Sequence, residues 1–172
     1  MMNADTRSFQ LAFHERWHQL KNPHVRSMAW LLDAPNLLSG EAVQWQGKIA
    51  HLGDSAAFDV HEWLMDLEQQ PNDLHAALEI TRFTRLGRYA EKLLAIYFTH
   101  IERLHAHGLQ VRADKNDTVG EFDFLLRDQE GLMHWEFATK FYLLCSSNAA
   151  YAQIQQADYF IGPNLALSLI HI

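Results

Sequence analysis

Sulfur cross-links are the first thing this chain lacks. Its one cysteine, Cys145, has no internal partner, which fits a reducing compartment and a buried thiol. Long apolar runs are missing as well. No stretch reaches the roughly 20 residues that a membrane-spanning helix needs, and the first residues lack the charged-then-apolar layout of a secretion signal. The expectation is a cytoplasmic protein with no membrane partner. There is no glycine-rich phosphate loop, no Ser-x-x-Lys pair and no nucleophile elbow, which removes the common nucleotide-binding and acyl-transfer designs. Positive charge is also short. A balance of 14 basic against 21 acidic side chains gives −7, unlike a protein that coats nucleic acid regardless of sequence.

That shortage is uneven. The first 80 residues hold 11 of the 21 acidic side chains but only 5 of the 14 basic ones. Farther on, Arg82, Arg85, Arg88, Lys92 and Arg103 are interrupted only by Glu91 and Glu102. Such a surplus suits either a solvated helix face or contact with a phosphate backbone. His100, His105 and His107 read as surface residues near one helix end, where cations are favoured.

With 48% hydrophobic residues in a chain of 172, a substantial core is expected. Helical periodicity runs over Phe9 to about Gln19, Val25 to Leu32 (stopped before Pro35) and Phe58 to Leu67, with a short strand around Val43 to Ile49. A longer helix is expected from Asp73, its cap, to about Leu104, kinked near Gly87 and closed by His107-Gly108. Strands follow over Leu109–Ala113, Glu121–Arg127 and Leu132–Phe141. A helix over Ala149 to Tyr159 then leads to a strand at Phe160. This order predicts an α/β fold with a mixed sheet, divided into a mainly helical region over 1–72 and an α/β core over 73–166.

The functional signal lies in Gly120-Glu121-Phe122-Asp123-Phe124-Leu125 and His134-Trp135-Glu136-Phe137-Ala138-Thr139-Lys140. Both runs are strand-like, yet they carry acids and a lysine into what should be a buried hairpin. Charges there are costly unless paired, hydrogen-bonded or holding a metal. Side chains alternate along a strand, so Glu121 and Asp123 share one face, and Glu136, Ala138 and Lys140 share another. Paired, the two strands gather carboxylates and an ammonium on one patch, suited to a hard divalent cation and a phosphate.

A helix, a strand with an acid, then a strand with Glu and Lys resembles the PD-(D/E)XK nuclease superfamily. Gly87-Arg88-Tyr89-Ala90-Glu91 followed by Gly120-Glu121-Phe122-Asp123 is similar to its small endonuclease-like members. More closely, the chain resembles the bacterial domain of unknown function 1853 family, itself placed in that superfamily. The resemblance rests on Val25 to Leu32, Trp135 to Leu143 and Gly162-Pro163. It implies a restriction-endonuclease-like sheet flanked by helices, with Asp123 and Glu136 as metal ligands, Lys140 as the catalytic lysine, Glu91 as the helix acid and Glu121 in support. It also implies Mg²⁺ or Mn²⁺ as cofactor and DNA or RNA as partner, with the oligomeric state left open. One spacing departs from the superfamily pattern. Lys140 lies four residues beyond Glu136, and Ala138 takes the usual lysine position. At about 3.3 Å per residue that is about 13 Å instead of about 7 Å. A nuclease-fold protein that binds without cutting is therefore the alternative, with Asp123 and Lys140 as an ion pair that orders the sheet.

Two features stand apart. His14-Glu15-Arg16-Trp17-His18, with His24 six residues on, has the spacing of zinc hydrolases. Lys21 replaces the turn glycine of that pattern, however, and Arg16 charges a helix that is normally apolar. The last six residues, Leu167 to Ile172, are the in-frame translation of a transposon mosaic end used to tag sequencing libraries. A non-native tail over 167–172 and a C-terminally truncated core are the expectation.

Overall fold

The computed structural model describes residues 9–34, 40–50, 52, 60–78, 85–114, 117–139, 143–145 and 159–161. Two compact units divide the chain, residues 1–18 with 138–172 and residues 19–137. In the first, helix α1 (Phe9–Arg16) is followed by a turn, and Phe13 and Trp17 are buried.

The second unit begins with α2 (Pro23–Asp33). Asn22 caps it by accepting the His24 and Val25 amides, and Pro23 fills the first position, where no amide is needed. The Glu68 carboxylate accepts the Lys21 and Asn22 amides at 2.8 and 3.0 Å, tying this helix start to α3 (Val60–Gln69). Helix α4 (Pro71–Leu78) and helix α5 (Leu86–His100) complete the bundle. Val25, Met28, Leu64, Leu74, Leu78, Leu93, Leu94 and Tyr97 form its buried core.

Strands β1 (Leu104–Arg112), β2 (Thr118–Arg127) and β3 (Leu132–Trp135) form one antiparallel sheet in that order. The register runs from Leu104↔Leu126 through His107↔Phe124 to Arg112↔Thr118, with a shift at His105, and Phe124 pairs with Trp135. Helix α5 packs on this sheet through Phe98, whose ring meets Phe124 at 5.4 Å and Trp135 at 5.6 Å, both edge-on. In the first unit, β4 (Leu143–Cys145) pairs antiparallel with β5 (Tyr159–Ile161).

The architecture is thus mixed α/β. Several local expectations are corrected. Val43–Trp45 is a 3₁₀ turn, not a strand. The helix placed from Asp73 is two helices, the first opening at Pro71, and α5 stops at His100. Glu102, at φ 56°, turns the chain there, so β1 starts at Leu104 and Gly108 lies inside it. β3 ends at Trp135 instead of Phe141. Every strand pair among the described residues is antiparallel. The crossover helix expected over 149–159 lies outside the described residues except for Tyr159, which is in β5, as do Lys140 and the tail over 167–172.

Candidate functional site

Asp123 sits in the middle of β2, between the buried Phe124 and the half-buried Phe122. Its Oδ2 accepts the Phe137 amide at 2.8 Å. Beyond Trp135 the ladder with β2 has ended, so a side chain supplies the acceptor that a strand would otherwise provide. This draws the segment carrying Glu136 against β2. The Glu136 carboxylate meets His134 Nε2.

Helix α5 supplies Glu91 from its first half. Burial raises the Glu91 pKa first; the negative charges of Asp123 and Glu121, and then Glu136, raise it further, against an opposing contribution from Arg88. Three of the other four expected site residues therefore act electrostatically on Glu91 of the helix: Glu121 and Asp123 from β2, and Glu136 from the segment after β3. Lys140, the fifth, lies outside the described residues.

The backbone conformation shows why glycine occupies position 108. A Cβ on Gly108 would lie 3.4 Å from Glu121 Oε1, and the residue adopts φ +61°, a conformation that side chains disfavour. The neighbouring His107 stacks near Phe124 at 5.5 Å. Burial, then Lys92, lowers the pKa of this imidazole, while Asp123 and Glu121 pull it up. His107 thus lies within the field of the charged patch, together with Lys92 of the basic surplus, a role that the sequence position of His107 does not suggest. The alternation of Leu104-His105-Ala106-His107 is the available signal, overshadowed by Gly108, which has the character of a helix terminator. His100, expected at the surface, is half-buried and lies stacked on Trp63 at 4.4 Å and 11°.

The donor set is hard oxygen, and the negative charges of Asp123, Glu121 and Glu136 add to burial in disfavouring ionisation of Glu91. Both properties fit a divalent cation. Among the described residues no group of three or more His, Cys, Asp or Glu side chains is arranged to hold an ion by itself. Mg²⁺ usually keeps several waters and takes only one or two protein carboxylates, so Asp123 and Glu136 would hold it and leave the substrate to complete the shell.

The residues with zinc-hydrolase spacing are engaged individually. His14 lies in α1, and His18 Nδ1 bonds the Glu15 carbonyl at 2.9 Å. His24 Nδ1 bonds the Tyr89 hydroxyl at 2.8 Å, with the His75 ring 5.3 Å away.

A family model described as Domain of unknown function (DUF1853) matches residues 26–170. That span holds every residue of the acidic patch. Neither a curated protein nor a solved structure matches the chain.

Proposed function

The chain belongs to the domain of unknown function 1853 family, and from that premise we propose that it is a PD-(D/E)XK-type, metal-dependent nuclease acting on a nucleic-acid phosphodiester. The single observation that carries this reading is the group of acids from helix, strand and post-strand segment whose charges act on Glu91. A bound Mg²⁺ or Mn²⁺ supplies charge neutralisation at a phosphate and a more acidic water. Asp123 and Glu136 would be its protein ligands. Glu91, with its raised pKa, holds a proton more readily than an ordinary glutamate and is suited to exchange one with a reacting oxygen. Asp123 also fixes the Phe137 backbone, so the ligand and the segment bearing Glu136 are positioned together. The superfamily resemblance gives Lys140 the role of orienting the nucleophile or countering developing negative charge.

Cleavage of labelled DNA and RNA by the full chain, with Mg²⁺, Mn²⁺ or Ca²⁺, tests the proposal. Mg²⁺ or Mn²⁺ is expected to support cutting and Ca²⁺ binding alone, because Ca²⁺ holds its ligands more loosely. Asp123→Asn is expected to abolish cutting. Lys140→Ala is expected to keep ion affinity and lose rate. No cleavage of any substrate, in a chain that still binds nucleic acid, would favour the second reading, a nuclease fold kept for binding. That reading draws on the end of β3 at Trp135, which leaves Glu136 outside the regular strand.

A further inference from the structure

Where β1 and β2 meet the end of α5, three nitrogen-rich side chains converge. Arg103 Nε donates to the Arg127 carbonyl at 3.4 Å, and the Arg127 amide donates to the Arg103 carbonyl at 2.7 Å. Arg127 Nη2 donates to His105 Nδ1 at 3.1 Å. The backbone beneath them is fixed. The Arg103 amide bonds the Phe98 carbonyl at 2.8 Å, Glu102 takes a left-handed turn at φ 56°, and the strand register shifts at His105. Bulges of this kind re-aim side chains beside functional sites.

Among the described residues none of the three is ion-paired to a carboxylate. The nearest acids in sequence are Glu102 and Asp128, and Asp128 Oδ1 is taken by the Glu130 and Gly131 amides at 2.8 and 3.0 Å. Two arginines tied to one another at this corner, one through its side chain to the other's carbonyl and neither, among the described residues, ion-paired to a carboxylate, bring planar N–H forks suited to an oxyanion to one place.

We propose that Arg103, His105 and Arg127 form a phosphate-binding site, occupied by a phosphodiester of the strand that the acidic patch engages. The phosphate chemistry stands on these three residues; its source in a nucleic acid rests on the nuclease reading above. Residues 121, 123, 125 and 127 of β2 share a face by alternation, so Arg127 lies on the Asp123 side. The four-residue step spans about 13 Å, roughly the axial length of four nucleotides of one B-form strand at about 3.4 Å each. A single strand therefore reaches from the acids to the arginines, which set its direction and register.

The test uses the full chain. Inorganic phosphate is titrated against the His105 ring resonances, and a fluorescent single strand is bound in Ca²⁺ at several salt concentrations. Saturable movement of the His105 signals by phosphate is expected, lost in Arg103→Gln/Arg127→Gln. The same double variant should lower the slope of log affinity against log salt by about 0.7 per lost contact. Arg112→Gln, whose side chain bonds Gln110 at the opposite end of β1, should match the parent. Arg127→Lys keeps the charge, guards against misfolding of the double variant, and should fall between them. Phosphate binding that the double variant loses, in a chain that binds no strand, would uphold the site with a free phosphate as its source and sink the nuclease reading alone. No phosphate response in the parent, or responses unchanged in the double variant, would overturn the proposal.

Discussion

At the scale of the residue, the site is a balance of repulsions set by burial. Glu91 has its pKa raised above the ordinary 4.5 by burial and by three neighbouring acids. Its folded-state proton is held more tightly than in the unfolded chain. The stability it contributes is therefore present below that value and lost as pH rises through the raised one. Glu91→Gln removes the cost, so its melting temperature at neutral pH is expected to exceed that of the parent. Equal or lower melting temperatures in a metal-free scan would count against close packing of these acids. Gly108 is the other decisive residue. Gly108→Ala must place a side chain at φ +61° beside Glu121 and should cost about 1–2 kcal/mol. Urea denaturation measures this directly. A neutral result would mean that the bend in β1 relaxes freely.

At the scale of the element, helix α5 and the β1–β2 hairpin do most of the positioning. Phe98, 1% exposed, joins α5 to Phe124 and Trp135. Phe98→Ala should cost about 3–5 kcal/mol and release Glu91 from the sheet, so its urea midpoint should fall and any cleavage should fall with it. A stable but inactive Phe98→Ala would instead show that the ring acts on the site without holding the fold. The elements also show what was legible in the chain. The β2 strand, the start of β3, the turn between them and α2 follow from alternation, the Asp128–Gly131 turn and the helical periodicity of Val25 to Leu32. The end of α5 does not follow. Glycine at 108 looks like a helix terminator, whereas the helix is ended by Glu102 in a left-handed turn, and glutamate gives no local sign of that conformation. The strand is therefore expected only from Leu109, and the first five residues of β1, His105 and His107 among them, fall to a helix end. The acids themselves were legible because charge inside an apolar alternating run has few uses. Their dependence on the Asp123–Phe137 bond was not, since a side chain standing in for a strand partner is a tertiary event.

At the scale of the whole molecule, charge couples folding to pH. Burial holds His24, His100 and His107 below the ordinary value of 6.5. In that window the unfolded chain binds more protons, so the stability these histidines contribute is full above 6.5 and is lost as pH falls through their folded-state values. Glu91 acts in the opposite sense over part of the range. Glu91→Gln should therefore show a steeper overall loss of urea midpoint than the parent as pH falls from neutral to 4.5. A shallower loss would reverse the assigned direction for Glu91. The acidic patch gives the most direct test of all. Mn²⁺ titrated calorimetrically into the full chain should bind at one site, and Asp123→Asn should lose that heat while remaining folded. Identical Mn²⁺ heats in the parent and in Asp123→Asn would contradict a metal site built on Asp123.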